Sequence, residues 1–470
     1  MAILAAMAVP HPPLIMPEVG RGEEQTIQST IDAYREAMRR AAELQPDTIV
    51  ITSPHTMLYS DYFHISPGAE AQGDFGQFRA PQLQLGAKYD TELVDRLVKL
   101  CDQADLAAGT LGERHPELDH GTMIPLRFFQ DAMQEAYGEE RAAGVRLVRI
   151  GLSGLSVLEH YRLGQLIRQA SDDLGRRVVF IASGDLSHKL KSDGPYGFSP
   201  DGIAFDARMQ EVFREGDFYK LLTTPSAMAE SAAECGLRSF WIMAGALDKR
   251  AVQAELLSYE GPFGVGYGVG WFLPGDRDDS RDFAAQYADF ERQQMEQNRE
   301  HEDGFVRLAR HTLETYVKSH VIPPVPDDLP DELTQQRAGA FVSLKKEGHL
   351  RGCIGTIAPT RSSLAKEIMG NAIAAGTRDP RFESVTADEL PHIVYSVDVL
   401  NEPEPIDDLK KLDVHKYGVI VESNGRRGLL LPDLAGVDTV EQQIDIARRK
   451  GNIGPKEKIN LWRFTVTRHR

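Results

Sequence analysis

The chain reads as an α/β N-terminal domain, a mostly parallel sheet with helices on both faces, followed by an α+β C-terminal domain. Three observations predict this. Over residues 1–274, short apolar runs alternate with longer stretches whose apolar residues recur at helical spacing. Over residues 305–470, strand-like and helix-like segments no longer alternate strictly. Between them, residues 275–304 are dense in charge with a poor apolar face, as in a linker or a solvated connecting helix. A length of 470 residues agrees with more than one core.

The first strand is Ile3–Val9. It lacks the basic flank of a signal peptide and is too short to span a membrane, so it reads as a buried strand. A helix follows over Glu23–Leu44, where Ile27, Ile31, Tyr34, Met38 and Ala41 share one face. Thr48–Thr52, Val145–Leu152 and Val178–Ala182 are further strands, and Val252–Tyr259 and Val265–Leu273 close the sheet. Helices are predicted at Thr91–Gln103, Met123–Tyr137, Val157–Leu174, Ile203–Glu215 and Gly236–Leu247. Past the linker come a helix at Phe305–Lys318 and a Pro/Asp loop at Ile322–Asp331. Strands follow at Ala340–Lys345, Ile393–Val399, Tyr417–Glu422 and Gly428–Leu431, with helices at Ser363–Ala374 and Thr439–Lys450.

Composition narrows the function classes. Hydrophobic residues at 41% and charged residues at 26% are ordinary for a globular protein. A formal net charge of −17 argues against nucleic-acid binding, which calls for a basic stripe or patch. The cysteines, Cys101, Cys235 and Cys353, are an odd and scattered set that argues against a disulfide framework and fits a reducing cytoplasm. A cytoplasmic protein without nucleic-acid or membrane partners is expected, with a homo-oligomer left open.

Three histidines stand just past apolar runs. His11 lies in Pro10-His11-Pro12-Pro13, His55 in Ser53-Pro54-His55, and His188 in Ser183-Gly184-Asp185-Leu186-Ser187-His188. If those runs are parallel strands of one sheet, all three imidazoles stand at its carboxyl edge, where open α/β sheets bind ligands. Gathered imidazoles suggest a metal site, a proton-transfer site, or both. A facial metal triad needs two histidines and a carboxylate. His11 and His55 are the natural pair and Glu234 is the chosen carboxylate, although a carboxylate before a helix also serves as a cap. Asp185 is the rival carboxylate, and Cys235 is an alternative, softer ligand that favours copper or zinc. His188 is then an acid or base beside the metal, and His120, in Asp119-His120-Gly121, a substrate contact. His64 and His115 carry a weaker signal.

These strings, with Glu234-Cys235-Gly236, resemble the class III extradiol dioxygenases of the LigB type and their Memo-like relatives, over roughly residues 1–273. The resemblance implies a ferrous ion held at His11, His55 and Glu234, an acid/base at His188 and a substrate contact at His120. It implies a catechol-like aromatic substrate and O2. In the Memo branch a cysteine replaces the carboxylate ligand, and this chain has both residues side by side.

The second domain carries Leu350-Arg351-Gly352-Cys353-Ile354-Gly355. Two glycines around a cysteine suggest a tight turn with an exposed thiol, and Arg351 could favour its thiolate. His349 and His392 are candidate partners that no spacing rule places beside it. Together with Asp379-Pro380-Arg381-Phe382 and Gly428-Leu429-Leu430-Leu431-Pro432, the string resembles the AMMECR domain family. A chain joining both modules is similar to a fused form of the AmmeMemoRadiSam system, which implies a radical-SAM partner.

Overall fold

A six-stranded sheet organises the first half of the chain. Its strands are β1 (Ile3–Val9), β2 (Thr48–Ser53), β3 (Arg146–Gly151), β4 (Val178–Ser183), β5 (Arg250–Glu260) and β6 (Tyr267–Arg277), in the order β3-β2-β4-β1-β6-β5. The structure, a computed structural model, describes residues 2–346, 349–434 and 436–470. It divides into two units, Met1–Phe290 and Glu291–Arg470.

The first four strands are parallel, while β5 and β6 form an antiparallel hairpin against β1. Residues 261–266 are too few for a crossover, so the last two strands must reverse direction. β1 shows why both faces are covered. Ala6 and Ala8 enter one core, and Ala5, Met7 and Val9 enter the other, as strand alternation requires, while a register shift between Ile3 and Ala5 sends Ile3 to the first core. Helices α1 (Gln28–Glu43) and α3 (His120–Tyr137) pack on the second of these faces. Helices α2 (Thr91–Gln103), α4 (Val157–Leu174), α5 (Pro200–Glu215) and α6 (Leu237–Ala246) pack on the first. Every residue of β2 and β4 is buried, the signature of central parallel strands. The register pairs Val9 with Ser183 and Thr52 with Ala182, so β1, β2 and β4 end level and their following loops share one edge.

The predicted strands and helices of this unit are all present, with ends shifted by a few residues. An antiparallel hairpin, Glu70–Phe75 with Ala80–Lys88, was not anticipated. The charged segment after β6 contains a helix, α7 (Phe283–His301), in which only Phe283 is buried.

The second unit holds two antiparallel sheets. One is β8-β7-β9-β14, from β7 (Ala340–Lys346), β8 (His349–Gly355), β9 (Ile393–Leu400) and β14 (Val466–His469). The other is β10-β13-β11-β12, from β10 (Glu404–Ile406), β11 (Gly418–Ser423), β12 (Arg426–Leu430) and β13 (Asn460–Phe464). Helices α8 (Gly304–Ser319) and α9 (Leu364–Thr377) cover the first sheet, and α10 (Val440–Lys450) the second. This is the expected α+β arrangement.

One local expectation is corrected. Leu350–Gly355 is not a tight turn but part of strand β8, with Cys353 opposite Ser343 of β7. Its glycines serve close packing: a Cβ on Gly352 would lie 2.2 Å from the Ala375 carbonyl, and one on Gly355 2.1 Å from the Phe341 ring. Among the described residues, no helix is long and apolar enough to cross a membrane.

Candidate metal centre

The shared carboxyl edge of β1, β2 and β4 gathers the candidate residues. His11 follows β1 and is 2% exposed. Its backbone N–H donates to Asp185 Oδ1 at 2.8 Å, and its Nδ1 stands 2.9 Å from Ser183 Oγ. His55 follows β2 in a turn organised by a half-buried carboxylate. Asp119 accepts from Ser53 Oγ at 2.6 Å and Thr56 Oγ1 at 2.7 Å, while the His55 N–H donates to Ser53 Oγ. Asp119 is also the N-cap of α3, accepting from the Thr122 N–H, so one side chain places both His55 and His120. Gly121 permits the approach: a Cβ there would meet Ser53 Oγ at 2.5 Å.

The outcome is a knot of imidazoles. Nε2 of His11 and Nε2 of His55 are 3.0 Å apart. The rings of His55 and His120 are 4.1 Å apart, centre to centre. Cys235 Sγ approaches the same His11 Nε2, at 3.6 Å, and the Asp185 N–H donates to that sulfur at 3.2 Å. Gly184 and Gly236 allow this convergence, since a Cβ on Gly184 would overlap Gly236 Cα at 2.1 Å.

Two sets of ligand atoms therefore lie within 4.8 Å of one another among the described residues: His11, His55 and His120, and His11, Asp185 and Cys235. Glu234 belongs to neither. Its Oε2 accepts the Leu237 N–H at 2.7 Å, which ties it to the first turn of α6. The structure thus brings together His11 and His55, and turns Cys235, not Glu234, toward His11. His188 stands apart from both sets, with Nε2 3.9 Å from Asp185 Oδ2 and its ring stacked on Tyr196 at 5.0 Å.

Electrostatics prepare the site for a cation. Loss of hydration, then the neighbouring His55 and His188, pushes His11 down to about 3. Loss of hydration likewise brings His120 to about 3, with His55 and His11 adding to it. His55 and His188 are lowered by loss of hydration, against the pull of nearby aspartates. At neutral pH these rings are uncharged, and neutral imidazole nitrogens are metal ligands. Burial pushes the Cys235 thiol well up, reinforced by Asp185 and Glu234, so without a cation it stays protonated. Burial raises Asp185 as well. It would raise Asp119, but the hydrogen bonds from Ser53, Thr56 and Thr122 and the charge of Arg149 outweigh it and hold that carboxyl below its usual range.

The donor set fits a metal ion. Two neutral imidazole nitrogens, both able to act as metal ligands, face each other at 3.0 Å. Nitrogen facing nitrogen offers at most one hydrogen bond, whereas an ion would use both lone pairs. A cavity of about 360 Å³ opens beside His55, lined by Met57, Leu58, His115, Leu118 and Arg149. His64 is elsewhere, buried with Nε2 3.2 Å from Glu113.

Sequence reasoning missed Ser183, Tyr196 and Asp206. Asp206 accepts from the Ser187 N–H at 2.7 Å and from Tyr259 Oη, fixing the loop that carries His188. Ser183 had a readable signal, a hydroxyl ending a wholly apolar strand; Asp206, inside a helix, had none.

In the second unit the expectation for Arg351 is corrected. Its guanidinium grips both oxygens of Glu389, at 2.8 and 2.9 Å, and the Glu383 carbonyl. It is therefore directed at a carboxylate and not at a thiolate. Cys353 accepts from Ser343 Oγ at 3.2 Å, and its N–H donates to Asp379, which is paired with Arg381. The side chain of His349 lies outside the described residues.

Comparison with known proteins accords with this division. The family model described as the catalytic LigB subunit of aromatic ring-opening dioxygenase matches residues 5–270, and the AMMECR1 model matches residues 306–469. A protein of Clostridium acetobutylicum is 39% identical over 479 residues, spanning 98% of each chain. A protein of Thermotoga maritima is 50% identical over 171 residues, 36% of this chain and 98% of its own. The crystal structure of an uncharacterized Pyrococcus horikoshii protein is 32% identical, covers 35% of this chain and 88% of that one, and has a TM-score of 0.33.

Proposed function

This chain belongs to the LigB family of aromatic ring-opening dioxygenase subunits over residues 5–270 and to the AMMECR1 family over residues 306–469, and from that premise we propose that its N-terminal unit is a metal-dependent dioxygenase of the extradiol type. The substrate class is a catechol-like aromatic, cleaved with O2, and the ion is Fe(II), with copper and zinc the alternatives. The observation that carries this reading is the 3.0 Å approach of His11 Nε2 to His55 Nε2. Those two nitrogens would hold the ion; Asp185 and Cys235, which share a second set with His11 but not with His55, stand beside Glu234 as candidates for the third donor. When bound, the ion would supply the Lewis-acid and redox centre at which a diphenol and dioxygen meet.

The chain's own residues then divide the work. His188, outside both ligand sets and held neutral, takes a hydroxyl proton at Nε2 and returns it as the ring opens. Tyr196 stacks on that imidazole and keeps its plane. His120, edge-on to Phe78 at 5.1 Å, borders the ion site with an aromatic wall suited to a flat ring. The cavity beside His55 gives a small aromatic room to enter.

One observation favours a second reading. Cys235 Sγ, at 3.6 Å from His11 Nε2, would make the site softer and better suited to copper(I) or zinc. The protein would then be an iron- or copper-binding accessory that works with a radical-SAM partner and cleaves no ring. Oxygen uptake by anaerobically Fe(II)-loaded protein, against a panel of catechols, separates the two. Uptake that requires both iron and diphenol is expected; no uptake with iron stoichiometrically bound overturns the dioxygenase reading in favour of the accessory one.

A further inference from the structure

We propose that Pro125 and Ser183 together fix the tautomer of His11, making Ser183 a positioning residue that leaves the His11 Nε2 lone pair free for the ion. The inference rests on the metal-site reading above for its purpose, but not for its geometry.

A helical carbonyl accepts from the N–H four residues on. For Gly121 that residue is Pro125, which has no N–H to give. The Gly121 carbonyl is therefore left open at a buried position, and the Ser183 hydroxyl fills it, with Oγ 2.6 Å from the oxygen. A carbonyl oxygen only accepts, so the single hydroxyl proton of Ser183 points at Gly121.

His11 Nδ1 meets the same hydroxyl at 2.9 Å. With its proton committed to Gly121, Ser183 can only accept there. Nδ1 must carry the ring proton, and Nε2 keeps its lone pair. The reverse arrangement, Ser183 donating to Nδ1, leaves the buried Gly121 carbonyl without its partner, which is costly for an acceptor shielded from water. Ser183 is fully buried, so water does not offer an easy substitute. The second imidazole follows: two bare nitrogens 3.0 Å apart would set lone pair against lone pair, so in the metal-free protein His55 Nε2 carries the proton and donates to His11 Nε2. A proline four positions past a glycine, on a helix that contributes neither ring nitrogen of His11, thus decides which face of that imidazole is basic.

The test is histidine-selective ¹⁵N labelling of the full-length metal-free protein, with long-range ¹H–¹⁵N spectra to read each ring nitrogen, followed by anaerobic Fe(II) titration calorimetry. Expected in the unsubstituted protein is a protonated Nδ1 and a bare Nε2 at His11, with the opposite tautomer at His55. A protonated Nε2 at His11 overturns the proposal, whatever any variant does. Ser183→Ala should give a mixture of His11 tautomers and weaken Fe(II) binding on the order of 10- to 100-fold, and Ser183→Thr should restore both. Pro125→Ala supplies the missing helical N–H to Gly121, frees the Ser183 proton and should shift His11 toward the other tautomer. Unchanged tautomer and affinity in both Ser183→Ala and Pro125→Ala refute the mechanism. If the unsubstituted protein has the expected tautomer yet binds no Fe(II), the metal reading fails and the tautomer inference stands.

Discussion

The carboxyl edge of the first sheet and the Cys353 strand of the second unit are both dense in chemistry-bearing residues, yet their groups are satisfied in opposite ways. At the sheet edge, imidazole meets imidazole, with His11 and His55 nitrogens 3.0 Å apart and the Cys235 sulfur close behind. Around Cys353, every charge has its complement: Arg351 with Glu389, Arg381 with Asp379, the thiol with Ser343. The first cluster gains from a cation that uses several lone pairs at once. The second is closed, because its ion pairs already return what burial costs them. Reactive residue types mark a site only where their partners leave something undone.

The largest expected effect tests the open cluster. His11→Ala and His55→Ala should each abolish stoichiometric Fe(II) binding, read by calorimetry and metal analysis. Retention of a tight 1:1 ion in both variants would break the comparison at its stronger end. His188→Ala should retain the ion and lower any ring-cleaving turnover by roughly 10²–10⁴-fold, the usual contribution of an acid/base group. Loss of the ion in that variant would move His188 from proton transfer to ligation.

A smaller effect concerns the support behind His188. Burial pushes the Asp206 carboxyl up from its ordinary 3.8 to about 7. A raised acid binds its proton more tightly in the folded state, so this contribution is present at low pH and is lost as pH rises toward about 7. Between those limits stability should fall with pH by at most roughly 1.4 kcal/mol per unit from this group. Asp206→Asn should flatten that slope in urea melts from pH 4.5 to 8. An identical slope in the variant would assign the pH dependence to other groups.

The same contrast explains what could be read from the sequence. The parallel strands and their terminal histidines were legible because Ile3–Val9 and Val178–Ala182 are apolar throughout, Thr48–Thr52 is a β-branched run with an apolar centre, and each runs straight into its histidine motif. Which of Glu234 and Cys235 turns toward His11 was not legible. That depends on the near-contact of Gly184 with Gly236, two residues far apart in the chain. Leu350–Gly355 looked like a turn because glycine favours turns locally, whereas its glycines answer to Ala375 and Phe341, partners that only the fold brings near. The hairpin Glu70–Lys88 escaped because its buried positions are diluted by polar residues.

The smallest expected effect lies at the closed cluster. Cys353→Ser keeps a hydroxyl where the thiol accepts from Ser343 Oγ at 3.2 Å, and it leaves the Asp379 contact to the backbone N–H intact. Stability should change by less than about 1 kcal/mol, as for a near-isosteric swap with its hydrogen bond kept. Fe(II) affinity and oxygen uptake should be unchanged. Arg351→Ala, in contrast, leaves Glu389 half-buried without its bidentate partner and should cost about 1–2 kcal/mol in denaturant melts. A Cys353→Ser variant that loses oxygen uptake while Arg351→Ala keeps it would make the thiol chemically active, and the closed cluster would have to be read as a second site.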